Sequence, residues 1–153
     1  MARPTMAIDD AGQGLDYGFL ADRIGFLLRM ASVINLAQLA RDTPDKAHTS
    51  QRMSVLALVA ANPGTSQVRL SEALRLSRPA ATLAVDFWQE RGCMERRVDP
   101  DDRRSYGLFL TPAGEALVPL FAEISREAEV SLRDRLTEAE AVELRRLLVK
   151  IID

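Results

Sequence analysis

Leu70-Ser71-Glu72-Ala73-Leu74-Arg75-Leu76-Ser77-Arg78-Pro79-Ala80-Ala81-Thr82-Leu83-Ala84-Val85 decides the reading of this 153-residue chain. Apolar residues fall at Leu70, Leu74, Leu76, Ala81 and Ala84, a spacing that packs one short helix across another with Leu76 plugging the turn. Ser77 offers a hydroxyl to cap the second helix, and Thr65 or Ser66 does the same for the first. Ala81, Ala84, Val85 and Trp88 share one face of the second helix, and Gly92 stops it. Two crossed short helices serve as a small core in many proteins, and they also present a helix to a DNA groove. The segment alone leaves both readings open.

Immediately downstream the period changes. Cys93 to Val98 and Tyr106 to Leu110 read as short strands joined by the polar stretch Asp99 to Ser105, a β-hairpin with a long tip. Thr111-Pro112 then starts a helix, with a hydroxyl at the cap and proline where its missing N–H costs nothing. That helix is expected to bury Leu117, Leu120, Phe121, Ile124, Ala128 and Leu132, with Pro119 a candidate kink. Thr137 and Glu140 make a capping box for a last helix, with Val142, Leu147, Leu148 and Ile151 expected to face inward.

Upstream, residues 1–14 read as a polar, flexible arm. Leu20, Ile24, Leu27, Leu28, Ala31 and Ile34 recur in steps of three and four, predicting a long amphipathic helix over Tyr17 to Arg41. Asp42 to Ala47, with Pro44, breaks it. Thr49 or Ser50 caps a further helix carrying Met53, Leu56, Val59 and Ala60, which Asn62-Pro63-Gly64 ends. The predicted order is α-α-α-α-β-β-α-α: mainly α with a small β-hairpin wing, a winged helix-turn-helix.

Composition narrows the function. Hydrophobic residues make 47% and charged residues 27%, a globular balance, while aromatics at 5% leave the core to Leu, Ile, Val and Ala. A net charge of −2 argues against a generally sticky nucleic-acid binder. Charge is uneven, however: Ser66 to Thr111 carries eight arginines against seven acids, and the chain from Pro112 carries six basic and nine acidic residues. Cys93 and His48 are the only residues of their kinds, which excludes an intrachain disulfide and a Cys/His metal cluster. No phosphate loop, zinc-protease or nucleophile-elbow motif occurs and one histidine suggests no triad, so no catalytic residue, metal site or cofactor is expected. The longest apolar run, Val55 to Ala61, is too short to span a bilayer, and Met1 to Gly14 lacks an apolar signal core. The expectation is a cytoplasmic protein without a membrane partner.

The hairpin tip weighs on the open question. Asp99-Pro100-Asp101-Asp102-Arg103-Arg104 puts two guanidiniums at the end of an arm. A DNA minor groove is narrow and strongly negative, and arginine suits it best. Asp102 can hold Arg104 extended before DNA arrives. An isolated tip of this kind would be read as a solvated, charge-balanced turn.

The whole stretch from Thr49 to about Leu117 resembles the MarR family of bacterial transcription regulators. The residues that carry the resemblance are Leu70 to Ser77, Glu90-Arg91-Gly92-Cys93-Met94-Glu95-Arg96, and the tip Asp99 to Arg104 continuing through Leu108, Leu110, Thr111, Pro112 and Gly114. The resemblance implies one subunit over residues 15–153. Its winged-helix unit would span about 49–111, and its dimerisation helices about 17–41 and 112–152. It further implies a homodimer that places two recognition helices in successive major grooves of a pseudo-palindromic duplex operator. Such regulators usually repress, and release DNA when a small effector binds, with an aromatic or phenolic acid the candidate effector here.

On that reading Arg75, Ser77, Arg78, Thr82, Asp102, Arg103 and Arg104 are the candidate DNA-binding residues, with Asp86 a further contact. The family usually has glycine where Arg75 stands, which predicts a left-handed residue there. Pro79 and Leu83 replace residues often polar in relatives, so apolar contacts to thymine methyls are expected to supply part of the preference. Arg23, Phe26, Arg29 and Met30 are candidate pocket residues, although Met and Phe on such helices usually pack. His48 is a candidate ligand contact whose ordinary placement is an exposed turn. Cys93 reads as a buried inert thiol, with Arg96 and Arg97 nearby keeping a thiol-oxidation switch as an alternative. A winged helix used only for protein contacts is the other alternative.

Overall fold

The computed structural model describes residues 16–98 and 106–153. Their elements are a 3-10 turn (Gly18–Leu20), α1 (Ile24–Asp42), α2 (Ser50–Ala61), α3 (Gln67–Ala73), α4 (Arg78–Glu90), β1 (Met94–Val98), β2 (Tyr106–Leu110), α5 (Pro112–Arg133) and α6 (Glu138–Ile152). This is the winged helix-turn-helix order expected from the sequence. The chain divides into two compact units with the boundary after Ala37.

Hydroxyl caps set the helix starts. Thr49, Ser66, Ser77, Thr111 and Thr137 each accept a backbone N–H from three residues on, opening α2 to α6 in turn. Each such cap contributes about 1 kcal/mol by satisfying an orphan donor. At α6 the Glu140 carboxylate also accepts from Thr137 N, which completes the capping box and holds that carboxyl below its ordinary range.

The core lies in the second unit, where α2 packs on α3, α4, α5 and β2. Trp88, Leu56, Leu70, Leu108, Val55, Val59 and Val85 are fully buried there. Trp88 keeps its one polar atom satisfied by donating from Nε1 to the Arg52 carbonyl at 2.8 Å. The turn between α3 and α4 is a Schellman motif: Leu76 N donates to Ser71 O and Arg75 N donates to Glu72 O. Leu76 packs against the core as expected. Arg75 occupies the left-handed position at φ +51°, where a glycine would be unstrained.

The hairpin pairs Met94 with Leu110, Arg96 with Leu108 and Val98 with Tyr106. Met94 and Leu108 are buried, and Arg96, opposite Leu108 on the same face of the hairpin, is exposed. On the other face Arg97 pairs with Glu95 at 2.5 Å and lies over the Phe109 ring. A bridge from Thr65 to Leu108 adds a third, one-residue edge that the sequence pattern did not signal.

Two expectations need correction: where the first helix starts, and which apolar side chains of α5 and α6 this chain buries by itself. The first long helix begins at Ile24, preceded by a separate 3-10 turn rather than a helix from Tyr17. None of its residues is buried, and Ile24, Leu27 and Ile34 are exposed. In α6, Val142, Leu147 and Ile151 are exposed instead of facing a core, as is Leu120 in α5. Helical periodicity reports an apolar stripe without saying whether the same chain covers it. α5 is one helix from Pro112 to Arg133 with Pro119 inside it. Its exposed outer position there lets water take up the carbonyl freed by the missing N–H.

Candidate nucleic-acid interface

α4 presents its buried face to the core through Ala81, Ala84, Val85, Phe87 and Trp88. The opposite stripe is Arg78, Pro79, Thr82, Leu83 and Asp86, of which Arg78, Pro79 and Leu83 are exposed. Between this stripe, α3 and the root of the hairpin lies a groove of about 730 Å³ lined by Gln67, Val68, Thr82, Arg96 and Tyr106 among others.

A chain of hydrogen bonds runs along the groove wall. Gln67 donates from Nε2 to the Thr82 hydroxyl at 2.7 Å, and that hydroxyl donates to Arg78 O at 3.0 Å. Arg96 donates from Nη2 to Gln67 Oε1 at 3.2 Å and pairs with Asp86 at 3.0 Å. α3, α4 and β1 are thereby fastened to one another by their polar side chains. Ion pairs this exposed add little stability, but each bond here fixes the recognition helix relative to the wing root.

The sequence-predicted contacts divide accordingly. Arg78 stands open at the N-terminus of α4, while Ser77 is engaged as its cap. Thr82 faces the groove with its hydroxyl committed. Asp86 is a partner of Arg96 rather than a lone outward-facing carboxylate. Arg75 directs its guanidinium to Ile152 O at 3.3 Å. Asp102, Arg103 and Arg104 lie outside the described residues. Gln67 was missed, because nothing in its own neighbourhood marks a partner 15 residues away on another helix.

A second concavity, of about 260 Å³, lies between α2 and α5 and is lined by Leu39, Met53, Ala57, Val118 and Phe121 with Ser50, Ser54 and Ser125. None of the five predicted pocket residues lines it. Near the start of α1, Arg29 lies over the Phe26 ring, and its Nη2 approaches the Met30 sulfur. Arg23, exposed, precedes Ile24.

His48 contradicts its ordinary placement. Its side chain is only 13% exposed, with Asp45 at 3.4 Å from Nε2. Its ring packs against Trp88, Phe121 and Phe87 at centroid distances of 5.1, 5.3 and 6.2 Å. The turn closes over it because Thr43 is buried and Lys46 binds the Ala40 and Thr43 carbonyls, drawing the segment back onto the core.

Cys93 is buried at 7% exposure, and burial pushes its thiol up against the opposing pull of Arg91. That is the environment of an inert thiol. Among the described residues no cluster of His, Cys, Asp and Glu suits a metal ion, and no helix is long and apolar enough to cross a membrane.

This geometry has close counterparts. The sequence pattern of the MarR family matches residues 49–105. Over 139 residues the chain is 32% identical to the protein assigned as transcriptional regulator of the hcr operon in Thauera aromatica, covering 90% of this chain and 83% of that one. The chain belongs to the MarR family. Among solved MarR-type structures it is similar to the transcriptional repressor CouR bound to a 23-mer DNA duplex, with TM-score 0.84, 28% identity, and 92% and 99% of the two chains covered. It is likewise similar to BpsR of Bordetella bronchiseptica, whose DNA binding is regulated by 6-hydroxynicotinic acid, with TM-score 0.78, 28% identity, and 85% and 98% covered. Membership accounts for the hairpin beside the recognition helix.

Proposed function

We propose that this chain is a homodimeric transcriptional repressor that binds a pseudo-palindromic duplex operator and releases it when a small aromatic acid binds. One observation carries the reading: an outward stripe on α4, headed by Arg78, is fastened to the wing root through Gln67, Arg96 and Asp86. The likeness to DNA-bound CouR extends over 92% of this chain. A second copy covers the apolar side chains that α5 and α6 leave exposed, among them Leu120, Val130, Val142 and Ile151. Arg78, Arg103 and Arg104 meet phosphate and minor groove, with Asp102 orienting the tip, while Arg75 is spent on the tie to Ile152 O.

The cavity between α2 and α5 is the effector site. Its apolar wall suits a ring, and three serines offer hydrogen bonds to a carboxylate or hydroxyl. It adjoins Phe121, which also packs on His48 and Trp88, so an occupant bears on the α4 end of the core. The protein works in the cytoplasm and catalyses no reaction.

The test is a gel-shift titration with duplex from the gene's own promoter region, repeated with a panel of hydroxylated benzoic, cinnamic and nicotinic acids. The expected result is a saturable shift reversed by at least one acid. No shift at low ionic strength refutes the reading.

A further inference from the structure

Beyond Arg78, the recognition stripe of α4 has engaged its own polar side chains. The Thr82 hydroxyl accepts from Gln67 and donates to Arg78 O. Asp86 is neutralised by Arg96, and Arg96 is shared with Gln67. What remains outward in the middle of the stripe is Leu83, 69% exposed, with Pro79 one turn earlier. Across the neighbouring notch Val68 of α3 is also exposed. Leu83 contributes nothing to the core, and the charges flanking it are those of a phosphate-facing surface, with Arg78 on the turn before.

A major groove offers donors and acceptors to polar side chains, and to an apolar one it offers a single feature, the 5-methyl group of a pyrimidine. We infer that Leu83 reads such a methyl by direct contact, and that it is the specificity-determining residue of each half-site. The inference rests on the DNA-binding reading above and names what that reading recognises. A leucine makes no hydrogen bond, so it responds to the methyl and not to the base edge. Thymine and 5-methylcytosine, which carry the methyl at the same place in the groove, both satisfy it. Uracil and cytosine do not.

Burying one methyl is worth about fourfold in affinity, hence about fifteenfold when both half-sites of a symmetric operator are changed. A duplex is selected from a random pool with the full-length protein, and each thymine is then replaced singly by uracil. One symmetry-related pair of positions should show the loss. At that pair a 5-methylcytosine–guanine pair should bind about fourfold more tightly per half-site than cytosine–guanine. In Leu83→Ala the uracil penalty should vanish, and in Leu83→Met it should persist. Leu83 lies outside the core, so both variants should melt with the parent. If no thymine is sensitive in the parent, or the penalty is unchanged in Leu83→Ala, the inference falls while DNA binding stands. If no duplex is enriched at all, the DNA-binding reading falls with it.

Discussion

The guanidinium of Arg75 donates to the carbonyl oxygen of Ile152 across 3.3 Å, tying the helix-turn-helix corner to the end of α6. The same residue holds the left-handed corner at φ +51°. Strain and tie can be separated by substitution. Arg75→Ala loses the tie and keeps the strain, whereas Arg75→Gly loses both. In urea melts the glycine variant should be more stable than the alanine variant by about 1 kcal/mol. Equal midpoints would mean that the corner is unstrained.

Gly114, in the first turn of α5, touches the Cys93 carbonyl so closely that a β carbon would overlap its oxygen. The Thr111 amide donates to the same oxygen, and the Thr111 hydroxyl donates to Gly92 O, so this backbone is pinned and has little room to yield. Gly114→Ala should therefore destabilise the chain by about 1–3 kcal/mol, as overpacking does. A thermal melt coincident with the parent's would show that the α5 start moves freely.

The Cys93 thiol is raised by burial, so near neutral pH it is held protonated and unreactive. Operator affinity measured before and after mild peroxide should be the same, and iodoacetamide should label the native protein far more slowly than the urea-unfolded one. A peroxide-dependent loss of binding that Cys93→Ser abolishes would establish the thiol switch instead.

Arginines at the surface make separable contributions. Arg104→Ala should weaken operator binding by about 1–3 kcal/mol, the loss expected for a good groove contact. Arg78→Ala should lower affinity on all sequences alike and reduce the slope of log K against log salt by about one. An unchanged affinity in the first variant, or an unchanged slope in the second, would remove that residue from the interface.

Much of the fold was legible because its punctuation is local. Every cap from Thr49 to Thr137 announces itself by a hydroxyl before an apolar-periodic run, and Gly92 closes α4 at φ +65° within one turn. What sequence could not show depends on distant partners. Gln67, Asp86 and Arg96 meet from three elements, and His48 owes its burial to rings some 40 to 73 positions away. The apolar stripe of α6 was legible too, but periodicity does not say which chain covers it. The five-residue pocket list missed the α2–α5 cavity for a related reason. A cavity is a failure of side chains to meet, and it leaves no pattern along the chain.

In the proposed dimer, two copies of this chain hold two α4 helices at the spacing of successive major grooves on one duplex. Sedimentation velocity on the protein with its own promoter duplex at moderate salt measures this directly. The expected species is one duplex carrying two chains, with the free protein already a dimer. A free monomer, or a complex of one chain per duplex, would contradict the account.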